Sequence, residues 1–396
     1  MESGLDTIFK LGMPTNSRHN RHNVTPNGSF NWFNVACLSY FSVTDRTFGG
    51  RSVWLKAQHF SLLSWLITAL AGMPVTAQAD TQWRIAPDII FKSQWLSNTD
   101  PSPGTWFSAG IDAYKAFTSN GRTVATATVQ LYEWCVDDRV RKPGVLSGTD
   151  DCELISKVSK LNFLVSGDGR FNIMVGHTEL PFGLEVPVAT NETVRSLLTP
   201  RDTGMKLDWG TGINGTIDGW SYEATLTRGS GFEWENQSPD GESPWVFSGR
   251  VGTATDRQGF LPTPGQGFSA FKGKILTPGG LSDRWRVAYD HIGYRGPIGY
   301  MAQVTVGDTD GRQVTNGFLE INTNSPDERW VAYAQLKSFN EEFQTGWERS
   351  QTWAFGVRTQ LTRTAILSAQ LAREPTQFFE RPAQTIFDLQ LRLRFE

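Results

Sequence analysis

The last eleven residues alternate between two chemistries. Phe387, Leu389, Leu391, Leu393 and Phe395 fall on one face of a strand, and Asp388, Gln390, Arg392 and Arg394 fall on the other. Successive side chains of a strand point to opposite sides, so one face is wholly apolar and the other wholly polar. The pattern recurs along the chain. Repeated strands of this kind, closing on an aromatic next to the last residue, point to an all-β, transmembrane antiparallel β-barrel with lipid outside and water inside.

Composition excludes the helical alternative. The 396 residues are 39% hydrophobic, with 39 Gly, 15 Trp and 25 Phe. The longest apolar stretch, 60–72, falls short of the roughly 18 residues that a membrane helix needs. That stretch instead fits an export signal over 51–79. Arg51 and Lys56 form its positive region, 60–72 its apolar region, and Ala77-Gln78-Ala79 its cleavage signature, so a mature barrel is expected over 80–396. Residues 1–50 lack periodicity and read as an unstructured leader or a mis-assigned start. Beyond residue 79 the chain carries 31 Lys/Arg against 37 Asp/Glu, which is no nucleic-acid-binding balance. Two cysteines remain there, Cys135 and Cys152, with a polar stretch between them. In an exported chain they are expected to form one disulfide, two free thiols being the other possibility.

Alternating runs separated by turn signals are expected at 83–95, 106–117, 123–134, 157–166, 171–180, 204–212, 220–228, 245–253, 268–276, 283–294, 298–307, 313–323, 330–339, 350–361, 365–373 and the C-terminal strand. Asn120-Gly121 is a strong hairpin signal, and Asn214-Gly215 with Asp218-Gly219 marks another turn. The run at 268–276 is weak. Counting it gives sixteen strands, and dropping it with one other gives fourteen. The even count places short connections on the periplasmic side and most long ones, including 179–203, on the outer side. Trp220, Trp245, Trp285, Trp330 and Trp353 stand at strand ends on the apolar face, as an interfacial girdle requires.

Leu180-Pro181-Phe182-Gly183-Leu184-Glu185, followed by a loop and Arg201-Asp202-Thr203-Gly204, resembles the phosphate-selective porin O and P family. The resemblance covers about forty residues, and the rest of the chain shows general barrel patterning. It implies a sixteen-stranded porin, often a homotrimer, in a bacterial outer membrane, passing small solutes or anions through a water-filled channel. Lipid and the barrel assembly machinery would be its other partners. Pro181, Phe182, Gly183, Leu184 and Glu185 then form either a constriction folded into the pore or a cap at its rim.

By alternation, Arg250, Arg284, Arg286, Lys337, Arg358, Arg392 and Arg394 face the water side. They are candidates for lining the pore, where charge sets selectivity, with a weak phosphate-like anion preference as the expected result. The competing reading makes them wall residues paired with inward acids such as Glu223, Asp290 and Asp388. Two further functions stay open: a plugged, non-conducting barrel acting as an adhesin or assembly partner, and an outer-membrane hydrolase. The second lacks support, because the two histidines beyond residue 79, His177 and His291, show no nucleophile–base spacing. Neither metal-ligand spacing nor a cofactor motif occurs, so neither is expected.

Overall fold

The computed structural model describes residues 83–97, 103–137, 140, 152–188, 190, 193–231, 241–254, 260–277, 279–377 and 382–395. The expected leader and export signal lie outside these residues. Sixteen strands follow in chain order: β1 (Arg84–Leu96), β2 (Gly104–Ser119), β3 (Arg122–Val136), β4 (Cys152–Phe163), β5 (Asn172–Glu179), β6 (Leu207–Ile217), β7 (Trp220–Thr227), β8 (Trp245–Thr253), β9 (Gly265–Thr277), β10 (Gly280–Arg295), β11 (Ile298–Thr309), β12 (Arg312–Asn324), β13 (Trp330–Phe343), β14 (Gly346–Gln360), β15 (Ala365–Thr376) and β16 (Gln384–Arg394). Each pairs antiparallel with its sequence neighbours, and β1 pairs with β16, so the sheet closes. The weak run is a full strand, β9, which removes the fourteen-stranded alternative.

Alternation sorts the wall. Phe355 is 61% exposed, Leu371 49% and Trp285 44%, while their inward neighbours Ala354, Gln370 and Arg286 are buried. Outward rings also stack across strands, as Phe91 does on Phe107 and Trp95 on Phe387. Large apolar side chains on the outer surface with polar ones inside invert a soluble core and match a lipid-facing wall.

Two-residue turns connect several hairpins. Asn120 and Gly121 both have positive φ, as do Asp218 with Gly219 and Asp310 with Gly311. Asn and Asp tolerate this left-handed region and Gly is unstrained there. Asn214-Gly215 is not part of a turn. It lies inside β6, where Asn214 Nδ2 donates to Asn162 Oδ1 at 2.9 Å and its own Oδ1 accepts from Asn172 Nδ2 at 2.9 Å. Cross-strand amide bonds in the lumen thus override its turn propensity. The hairpins β9–β10, β11–β12 and β13–β14 also run beyond their expected ends, which leaves Trp285 and Trp353 well inside their strands. An indole girdle marks a membrane boundary, and hydrogen bonding between strands continues past it. Cys135 and Cys152 are register partners where β3 ends and β4 begins, bonded at 2.00 Å.

A polar ladder on the lumen side locks the closing seam. Arg392 makes a fork to Asp88, Nε to Oδ1 at 2.8 Å and Nη2 to Oδ2 at 2.6 Å. Tyr132 Oη reaches Asp88 Oδ2 at 2.9 Å and Asp112 Oδ1 at 2.7 Å, and Arg394 Nη1 donates to Asp112 Oδ2 at 2.6 Å. Because Asp88 and Arg392 are 1% and 3% exposed, removing one partner strands a buried charge. Asp88→Ala is therefore expected to destabilise the barrel by about 3–5 kcal/mol, read as a lower melting temperature in detergent. Asp88→Ala with Arg392→Met should recover much of the loss. An unchanged melting temperature for the single variant would show that the seam does not depend on this pair.

Candidate functional site: a loop folded into the lumen

The connection between β5 and β6 enters the barrel and packs on one half of the inner wall. Its described residues include a 3-10 turn, Gly183–Glu185, and a short helix, α1 (Thr199–Thr203). Leu184, Val188, Leu197 and Leu198 pack with Ile292, Met301, Phe318 and Phe339 from β10 to β13. Leu180, Phe182 and Met205 pack with Val246, Phe271, Ile275 and Ala288 from β8 to β10. These inward apolar residues of β8 to β13 are thus the footprint of this loop, while Val331 and Tyr333 pack under Phe260 of the β8–β9 connection.

Polar anchors fix it. Gly183 N donates to Ser269 Oγ at 2.9 Å, Leu184 N to Gln303 Oε1 at 2.9 Å, and Ser248 Oγ to Pro181 O at 3.2 Å. Gly183 has φ +58°, and a Cβ there would lie 2.3 Å from Gln303 Oε1, so both conformation and space select glycine. These bonds hold Pro181 to Glu185 against the inner wall. Farther along, Arg195 forms a fully buried ion pair with Glu320 at 3.2 Å and stacks 4.2 Å from the centre of Phe260. Lys337 Nζ donates to Ser196 Oγ.

Asp202 of α1 is the deepest anchor. It accepts from Thr305 Oγ1 at 2.8 Å, from Gln303 Nε2 at 3.3 Å and from Asn316 Nδ2. Burial pushes its carboxyl up to about 6, against the pull of these donors and of the Arg286 and Arg201 charges. Gly204, at φ 84°, ends the helix in the left-handed conformation.

The seven expected lumen cations all face inward, but their partners differ. Arg250 is committed to Asp290 through two bonds of 2.6 and 3.0 Å, and Arg392 and Arg394 to Asp88 and Asp112. Arg358 lies 5.0 Å from the ring centre of Phe260. Arg286 donates to the carbonyls of Trp285 and Asp308 and to Thr309 Oγ1 at 2.6 Å. Arg284 donates to Ser282 Oγ at 3.2 Å. These last two join Arg201 and Arg312 around a cleft of about 200 Å³, where Glu341 is the one lining acid and pairs with Arg312 at 3.0 Å. Neither Arg284 nor Arg286 has a carboxylate within ion-pair distance among the described residues.

A second space of about 310 Å³ lies between the docked loop and the wall formed by β1 to β4 and β16. Lys157 reaches it from a bulge: Gln130 pairs with Val158 and Leu131 with Ser156, so Lys157 is the extra residue. Sequence reading missed this, although Leu154 and Leu161, seven apart, both point outward. Strict alternation forbids that odd spacing. Arg195 and Arg201 were missed because a loop has no periodicity to sort them, and Arg201 appeared only within the resemblance. His177 is fully buried and packs against Trp209, with ring centres 5.1 Å apart.

No family model and no curated protein matches the chain. Solved structures do. The Vibrio cholerae outer membrane protein OmpT aligns, as its loop L8 deletion mutant, with TM-score 0.58 and 11% identity over 79% of this chain and 99% of that one. Its in-vitro folded trimer form aligns at 0.53 and 11% over 80% and 100%. The anion-selective porin from Comamonas acidovorans aligns at 0.56 and 9% over 80% and 100%, and Salmonella typhi OmpF, in complex with daunomycin, at 0.56 and 8% over 80% and 98%. At these identities the likeness is one of fold, a closed porin-type barrel of the outer-membrane kind.

The raised Asp202 carboxyl carries a sign. Docked, it holds a proton more readily than when exposed, so docking loses stability as pH rises from about 4 through about 6. Open-channel current noise from the loop should therefore be lower at pH 5 than at pH 8. Asp202→Asn at pH 8 should match the parent at pH 5. Equal noise at both pH values in the parent would refute the assignment.

Proposed function

We propose that this chain is a bacterial outer-membrane porin, a passive channel for small solutes with a preference for anions. The observation that carries the reading is the loop between β5 and β6, anchored on the β8–β13 half of the lumen. It narrows the barrel and leaves cation-rich space beside it. The lumen cations divide in a way that favours this. Arg250, Arg392 and Arg394 are neutralised by partners, whereas the cleft formed by Arg201, Arg284, Arg286 and Arg312 holds four guanidinium groups against one lining acid. Charges lining a pore set selectivity through field and hydrogen bonds, and the planar fork of Arg suits phosphate and carboxylate.

The resemblance of Pro181 to Glu185 and of Arg201 to Gly204 to the phosphate-selective O and P family supports phosphate as one permeant anion. Homotrimeric assembly is part of the proposal, supported by the fold shared with the trimer form of OmpT. No catalytic step is assigned. The lumen carboxylates Asp88, Asp112, Asp290 and Glu320 are bound to cations or to tyrosine, which suits a wall better than acid–base chemistry.

Purified protein in planar bilayers should give stable channels, and its reversal potential in a KCl gradient should report anion preference. Arg284→Glu is expected to lower the anion-to-cation permeability ratio by roughly two- to tenfold while conductance persists. No stable conductance would remove the porin reading. An unchanged ratio would take Arg284 out of the permeation path.

A further inference from the structure

The 310 Å³ space between the loop and the facing wall is lined on the wall side by aromatic rings and by a cation that makes no ion pair among the described residues. Trp106 and Trp134 point into the lumen and meet edge to face, with ring centres 5.2 Å apart. Tyr132 stands beside them, and Lys157 Nζ lies 5.1 Å from its ring centre. Among the described residues neither an ion pair nor a side-chain hydrogen bond holds its ammonium, and Asp112 and Glu179 act on it only through their charge. The other charged groups here are committed: Lys92 to Asp388 at 3.1 Å, Lys206 to Glu185 at 2.9 Å and Arg195 to Glu320.

Unused polar atoms are gathered on the same wall. Trp106 Nε1, Ser108 Oγ and Gln390 Nε2 are buried without partners, and all three residues line this space. They are neighbours through the closing seam. Lys92 is the register partner of both Gln390 and Trp106, and Ser108 is that of both Ile90 and Trp134. The indole and amide groups are donors and the hydroxyl can be one. A buried donor without an acceptor is costly.

We propose that this chamber is a binding station for aromatic monocarboxylates, the ring lying against Trp106 and Trp134 and the carboxylate on Lys157. The inference rests on the channel reading and names a solute class for it. Inorganic phosphate suits the arginine cleft better, since an apolar-walled chamber with one ammonium outside an ion pair would desolvate a dianion without a fork to receive it. A sugar would need free acceptors as well as rings, and the lining acids Glu179 and Glu185 face Lys206 at 3.7 and 2.9 Å. The volume is at the low end of the roughly 300–1,000 Å³ of small-molecule sites, which favours a single ring.

Calorimetric titration of the full chain in detergent with benzoate is the test. Saturable binding is expected, at least about tenfold tighter than for benzyl alcohol, which lacks the charge, or for phosphate, which lacks the ring. Lys157→Gln should weaken benzoate by at least about tenfold, in line with losing a charge-assisted hydrogen bond. Its KCl conductance should stay close to the parent's. Trp106→Phe, which keeps a ring, should retain benzoate binding within a few-fold. Quenching of the parent's tryptophan emission by nitrobenzoate, competed by benzoate and not by phosphate, gives the same answer without a variant. Undetectable benzoate binding, equal binding of benzyl alcohol or phosphate, no response to Lys157→Gln, or quenching that benzoate does not compete would each overturn the assignment. Conductance in KCl without benzoate binding removes this inference alone. Absent KCl conductance removes the channel reading and leaves the titration interpretable.

Discussion

Hydrocarbon offers no hydrogen-bond partner, so a sheet that spans it has to close on itself. The pairing of β1 with β16 meets that demand, with Asp88 to Leu96 set against Ile386 to Arg394 in register. Much of the remaining structure follows from this closure. The outer face must be apolar and the inner face is then free to be polar. The polar side of the seam is where Arg392, Asp88, Tyr132, Asp112 and Arg394 assemble one network. Strand ends that are far apart in sequence are thus joined by backbone bonds within the wall and by charges on its wet side.

A closed polar tube still needs an internal shape. Among the described residues much of that shape comes from the β5–β6 loop, whose leucines and Phe182 reproduce a small soluble core inside the lumen. The arrangement is asymmetric. The β8–β13 half of the wall supplies apolar contacts, with Ser248, Ser269, Gln303, Thr305 and Asn316 receiving the loop's polar groups. The opposite half keeps its solvent-facing side chains. Two unlike spaces result, an arginine cleft and an aromatic chamber with Lys157, and they invite different anions.

Much of the wall was legible from alternation alone. The sixteen strands, the inward direction of Arg250, Arg284, Arg286, Lys337, Arg358, Arg392 and Arg394, and the outward tryptophans all follow from a period of two. Pairing was not legible. Whether Arg250 meets Asp290 or its register partner Glu223 depends on side-chain reach across strands. The loop's destination was ambiguous because 180–206 has no period. The clue lay elsewhere: Val246, Phe271, Ile292, Met301, Phe318 and Phe339 are apolar residues at inward positions. In a water-filled tube such residues need something to cover them. Asn214-Gly215 misled because local turn propensity yields to amide bonds between neighbouring strands.

Tryptophan quenching in liposomes tests the two-faced wall most directly. Variants keeping only Trp285 or only Trp134 report opposite faces of one barrel. Brominated acyl chains are predicted to quench Trp285 and to leave Trp134 bright, while an aqueous quencher small enough to enter the lumen does the reverse. Quenching of Trp134 by brominated lipid, with Trp285 untouched, would contradict the assignment of the faces and the account built on it.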